Sequence, residues 1–121
     1  MTAVYRYYVA AEPKRRHRQT NGRAYPDPKG VAYEQMLGFL MRHERKGPML
    51  ECFVGVQALF VTESKGDLDN LLKAVLDAGN GILWKDDRQI VEANAFKRKP
   101  TEGEPEFVEL QVWKAEMEGD E

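Results

Sequence analysis

The chain has 121 residues, 42% of them hydrophobic and 31% charged, which suits one small core under a heavily solvated surface and leaves little room for a second domain. No run reaches the ~20 apolar residues of a membrane span, and Arg6, Glu12 and Lys14 interrupt any secretory apolar stretch near the start. The lone Cys52 excludes an internal disulfide and, inside an apolar run, reads as a buried small hydrophobe rather than a nucleophile. The expectation is a soluble intracellular protein. Net charge is −2, but the charge is unevenly spread. Residues 1–50 hold ten Lys/Arg against four Asp/Glu, a balance of +6, and residues 51–121 hold eight against sixteen, a balance of −8. A basic arm on an acidic body suits phosphate binding by one part and cation binding by the other; a solvated surface with no such meaning is the plain alternative.

In chain order, residues 4–10 are aromatic and β-branched and predict a strand. Residues 12–30 mix Lys14, Arg15, Arg16, His17, Arg18, Arg23 and Lys29 with Pro and Gly, and read as a basic loop, part of a wider loop region over 11–30. Tyr33, Met36, Leu37 and Leu40 have helical spacing over 31–45, and Gly47-Pro48 stops that helix. Residues 50–62 are almost continuously apolar, as a central strand buried on both faces requires. A second helix is predicted over 67–78, where Leu68, Leu71, Leu72, Val75 and Leu76 form one stripe; Asn80-Gly81 turns the chain after it. Residues 82–84 are briefly apolar, and Lys85-Asp86-Asp87 follows. Strands are expected over 89–97 and 107–115, joined through the turn-rich 101–105 and paired as a hairpin, with Val108, Leu110 and Val112 facing one way. The tail 116–121 is acidic and expected to fray. The order β-α-β-α-β-β describes a single α/β (α+β) domain over 1–121, a mixed sheet packed by two helices, with no repeat and no linker.

The second helix carries the chemistry. At about 100° per residue, Asp69, Asn70, Lys73 and Asp77 fall opposite the leucine stripe. Asp69 and Lys73 stand at i and i+4, close enough to meet. Asp67 follows Gly66 at the helix start, as an N-cap does. Taken singly, each acid has a structural reading: a cap, a first-turn charge favoured by the helix dipole, or a polar turn at Lys85-Asp86-Asp87. Taken together, a helix and a short return can bring the two acidic segments to one edge of a sheet. Clustered carboxylates repel unless a cation neutralises them. Oxygen donors without Cys or clustered His suit Mg²⁺ or Mn²⁺ and argue against zinc. A neighbouring lysine suits charge developing on phosphate oxygens.

The segment Gly66-Asp67-Leu68-Asp69-Asn70-Leu71-Leu72-Lys73-Ala74-Val75-Leu76-Asp77-Ala78, followed by Gly81-Ile82-Leu83-Trp84-Lys85-Asp86-Asp87-Arg88-Gln89-Ile90-Val91, resembles the RusA family of Holliday junction resolvases. An Asp-x-Asp-Asn-x-x-Lys block, an Asp later on the same helix and a Trp-x-Asp-Asp-x-Gln block carry the likeness. Ala11-Glu12-Pro13-Lys14-Arg15-Arg16-His17-Arg18 resembles the family's basic N-terminal segment, with His17 where many relatives have proline. An acidic C-terminal half is a second departure.

The resemblance implies a homodimer that cuts four-way DNA junctions with Mg²⁺, one active site per subunit, in DNA recombination and repair. It implies Asp67, Asp69 and Asp87 as metal ligands and Lys73 as the essential lysine, all four catalytic. It implies Lys14, Arg15, Arg16 and Arg18 as DNA-backbone contacts, and a cytoplasmic, nucleoid-associated protein of bacterial or phage origin. Asp77 and Asp86 are ligands or hydrogen-bonding supports, and Asn70 orients a carboxylate or caps a turn. Lys73 either stabilises the phosphorane or protonates the leaving group. Tyr5, Tyr7, Tyr8 and Trp113 either pack or insert at a junction centre, packing being the reading preferred. Three other functions stay open: a branched-DNA-binding protein without cleavage, a nuclease for other structures such as flaps, and a metal-dependent hydrolase of small phosphate esters.

Overall fold

A computed structural model describes residues 2–14, 18–20, 23–25 and 28–117, with 18–20 and 23–25 described by backbone alone. Strand β1 (Thr2–Tyr7) leads to a short antiparallel ribbon, β2 (Arg18–Thr20) with β3 (Arg23–Tyr25), inside the segment expected to be loop. Helix α1 (Pro28–Glu44) follows, then β4 (Val54–Val61), α2 (Leu68–Gly79), a 3₁₀ turn (Asp87–Gln89), β5 (Ile90–Arg98) and β6 (Phe107–Lys114). The four long strands make one mixed sheet in the order β1-β6-β4-β5.

Strands β5 and β6 do not form the expected hairpin. Strand β4 pairs parallel with β5 and antiparallel with β6, and β6 pairs antiparallel with β1. Parallel neighbours need a crossover, and α2 supplies it. The short connection after β5 suggested a hairpin, but it wraps the end of β4 instead. Thr62 N–H donates to the Arg98 carbonyl at 3.0 Å, and Thr62 Oγ1 and Glu63 N–H donate to Glu106 Oε1 at 2.9 and 2.8 Å. Side-chain character explains the choice. Strand β6 is largely buried and takes a central slot, whereas β5, with Glu92, Asn94, Lys97 and Arg98, is largely exposed and takes the edge.

One face of the sheet is the core. Val56 pairs with Val112, Ala58 with Leu110 and Phe60 with Val108, and Tyr5 and Tyr7 continue the row on β1. Leu37 and Met41 of α1 and Leu71 and Val75 of α2 close over it, all fully buried. The expected α2 stripe and the alternation of Val108, Leu110 and Val112 are those that pack; of the expected α1 stripe Tyr33, Leu37 and Leu40 pack, whereas Met36 is exposed and Met41 takes a core place instead. Burying such an aliphatic side chain stabilises by about 1.5–3 kcal/mol. On the opposite face the Trp113 ring lies over Gly55, where any Cβ would come within 2.3 Å of the indole. Tyr5 and Tyr7 therefore belong to the core and Trp113 to sheet packing, while Tyr8 is exposed beside Phe107.

Cys52 is exposed rather than buried. The apolar run was expected to be strand from residue 50, but β4 begins at Val54, and residues 50–52 lie alongside the 83–89 segment. Among the described residues no helix is long and apolar enough to cross a membrane. Residues 118–121 of the expected frayed tail lie outside the described residues.

Candidate active-site cleft

Asp67 occupies the N-cap position of α2 with extended backbone, and its carbonyl accepts from Leu71 N–H at 2.9 Å. Its carboxylate makes no capping hydrogen bond, so the structural reading of this acid as a cap does not account for its side chain. The approach to it is tightly fixed. Gly66 lies against Pro13, where a Cβ would come within 2.9 Å of the ring. Gly66 N–H donates to Ser64 Oγ at 3.1 Å, and Lys97 Nζ on β5 donates to the Gly66 carbonyl at 3.0 Å.

Asp69 sits in the first turn of α2 and accepts from the Asn70 amide at 3.0 Å. The expected Asp69–Lys73 partnership gives way to another. Lys73 Nζ lies 3.9 Å from Asp77 Oδ1, one turn further on, while Asp69 turns back onto the first-turn amide of Asn70.

Asp87 is held quite differently. The Trp84 indole N–H donates to Asp87 Oδ1 at 2.8 Å. Asp86 caps the 3₁₀ turn: its Oδ1 accepts from Arg88 N–H at 2.9 Å, and Gln89 Oε1 accepts from Asp86 N–H at 2.7 Å, a reciprocal capping box. Those amide and guanidinium donors of Arg88 hold the Asp86 carboxyl below the usual aspartate range. The Gln89 amide then donates to the carbonyls of Leu50 and Cys52 at 2.9 and 2.8 Å, pinning the turn to the segment that leads into β4. Asp86 is thus a support for the turn. The buried Trp84 ring also packs on Gly79, where a Cβ would come within 2.8 Å. Reading residues one by one gave Trp84 and Gln89 no role. The signal for Gln89 was present as Asp86-x-x-Gln89, an N-terminal capping pattern; the Trp84–Asp87 bond had no local signal.

A cleft of about 300 Å³ runs along the outer face of α2, lined by Asp69, Leu72, Lys73, Leu76, Asp77, Asp87 and Ile90. It joins the two acidic segments but does not gather them. Helix α2 starts beyond the C-terminal end of β4, whereas β5 starts at its N-terminal end, with Ile90 beside Val54. Asp67 and Asp69 therefore lie towards one end of the crossover and Asp87 towards the other. Among the described residues no three His, Cys, Asp or Glu side chains form a cluster ready to hold a metal ion.

Arg15 and Arg16 of the basic arm, and the side chain of Arg18, lie outside the described residues. Lys14 is described, and its ammonium is committed to carboxylates: Glu34 Oε1 at 2.7 Å and Asp77 Oδ2 at 3.2 Å. Its backbone amide donates to the Asn70 carbonyl of α2 at 2.8 Å.

A βαβ crossover with acids and a lysine on the solvent face of its helix, in a four-stranded mixed sheet packed by two helices, defines a small α+β protein. A family model described as Endodeoxyribonuclease RusA matches residues 7–112. The chain belongs to this family, which implies a Holliday junction endonuclease. No curated protein gives a significant match.

Proposed function

We propose that the protein is a divalent-metal-dependent endodeoxyribonuclease that resolves four-way DNA junctions by paired phosphodiester hydrolysis. The observation that carries this reading is one cleft lined by Asp69, Lys73 and Asp87 in a chain of the RusA family. The donor chemistry suits Mg²⁺, with Mn²⁺ as a substitute, because every acid offered is a hard oxygen ligand. Asp67, Asp69 and Asp87 would hold the metal; within one chain their spacing does not bring all three onto one ion. When bound, such an ion supplies an activated water and neutralises charge on the leaving oxygen.

The chain's own groups have separable tasks. Lys73, exposed at the cleft, meets the scissile phosphate with its ammonium, either stabilising the phosphorane or protonating the leaving oxygen. Trp84 and Gln89 fix where Asp87 stands. Arg15, Arg16 and Arg18 hold backbone phosphates and make binding fall steeply with salt. A homodimer places two clefts on strands of opposite polarity and offers each cleft the acids of a second chain. A cytoplasmic setting in a bacterium, for a bacterial or phage-encoded protein, goes with a branched-DNA substrate.

The test is cleavage of a synthetic four-way junction and of linear duplex, with Mg²⁺ or with EDTA, by the protein and by Asp69→Asn. Paired nicks on the junction alone are expected. EDTA should abolish them, and the variant should slow them about 10²–10³-fold. Equal cutting of linear duplex would overturn junction specificity, and junction binding with no cutting would favour a binding-only protein.

A further inference from the structure

We propose that Lys14 is a positioning residue that neutralises Asp77 and thereby leaves the Lys73 ammonium available to the cleft. This rests on the reading of Lys73 as a phosphate-facing group. It assigns Lys14 away from the DNA backbone, where its place in a basic run would put it.

The geometry is a short chain of alternating charge. Glu34 on α1 lies 2.7 Å from Lys14 Nζ, Lys14 lies 3.2 Å from Asp77 Oδ2, and the other oxygen of Asp77 lies 3.9 Å from Lys73 Nζ. Lys14, Glu34 and Asp77 are about a quarter to a third exposed, and Lys73 is 62% exposed. The inner members are thus partly shielded while Lys73 faces solvent at the cleft. Lys14 is also placed by its backbone, through the amide bond to Asn70, and Pro13 before it is wedged on Gly66. The ammonium cannot swing out to a phosphate without leaving two carboxylates. Its pairing with Glu34 and Asp77 raises its pKa above the ordinary lysine value, so it stays charged.

Without Lys14, Lys73 would be the near cation of Asp77 among the described residues. Their pairing would tighten, and the positive charge offered to a phosphate would be quenched. The arm and the cleft are therefore linked through Asp77.

The proposal separates from two simpler ones by a set of variants assayed on a junction in single turnover at saturating protein. Lys14→Met is expected to slow cleavage roughly tenfold, with junction affinity and its salt dependence unchanged. Adding Asp77→Asn should restore the rate to within about threefold of wild type, because the unbalanced charge is gone. Adding Glu34→Gln instead should not restore it, since Asp77 still quenches Lys73. Lys14→Arg, which keeps the charge, should cleave as wild type does.

Equal rescue by Glu34→Gln and Asp77→Asn would overturn the proposal, showing only repulsion between two orphaned acids. Weakened binding with a salt slope smaller by about one would overturn it too, showing a phosphate contact. A readout independent of cleavage is the side-chain ammonium NMR of the intact protein. Asp77→Asn should shift the Lys14 and Lys73 signals together, and Lys14→Met should shift that of Lys73. Unmoved signals would sink the charge chain even if the wild type cuts. A wild type that does not cut, with the signals moving as expected, would count against the nuclease reading and leave the charge chain supported.

Discussion

The segments that carry the acids, 66–69 and 84–89, are held in opposite ways. The helix start is set by backbone: a glycine wedged on Pro13, an extended residue, then the first turn of α2, with the Asp67 carboxylate making no capping bond. The 84–89 turn is set by side chains: an indole on Asp87, a reciprocal cap between Asp86 and Gln89, and a glutamine amide on two distant carbonyls. The Asp67 carboxylate thus adds no cap to the helix start, whereas the direction of Asp87 depends on the side chains of Trp84 and Gln89.

That contrast can be broken or sharpened by substitution. The largest effect on stability is expected from Gln89→Ala, which strips partners from the Leu50 and Cys52 carbonyls and from the Asp86 amide. A loss of about 2–3 kcal/mol in urea unfolding is expected, with cleavage impaired more than junction binding. Unchanged stability would show that the turn is held by something else. Trp84→Phe keeps an aromatic ring in the core but removes the N–H to Asp87 and part of the buried indole that packs on Gly79. It should cost about 1–2 kcal/mol and lower the cleavage rate while affinity for the junction holds.

Asp67→Ala should change stability by under about 0.5 kcal/mol, less than a working N-cap contributes, yet abolish cleavage. A loss of a full kcal/mol or more would restore the capping role and weaken its claim as a ligand. The smallest effect lies in the connection between β5 and β6. Glu104, bonded first by Arg98 and then by the Thr101 amide, has its pKa held down from 4.5 to about 2. A depressed carboxyl stabilises the fold above its unfolded pKa, and that contribution is lost as pH falls from 4.5 through about 2. Thermal melts of wild type and Glu104→Gln should therefore differ at pH 6 and converge as the pH falls below about 2.

Much of the molecule was written locally. Both helices, the long strands and the core stripes follow from periodicity, because a 3.6-residue or two-residue repeat of apolar side chains has one way to face a core. Asp67, Asp69 and Lys73 were legible because they stand within two turns of one helix. The strand order was not legible. Whether β6 pairs with β5 or slides between β1 and β4 depends on which strand can be buried on a central site, and the short connection between them pointed the wrong way. The exposure of Cys52 turned on the same kind of fact, the point at which β4 enters the sheet.

The acids divide along that line. Sequence alone determined that Asp67, Asp69 and Lys73 share one helix and that Asp87 belongs to a separate turn, since chain spacing fixes both. Tertiary structure decided that the two segments share a cleft along α2 yet stand towards opposite ends of it, because the crossover returns the chain to the far end of β4 before β5 begins. It also decided that Lys14 faces Glu34 and Asp77 rather than solvent, a pairing between residues 20 and 63 positions apart that no local pattern encodes.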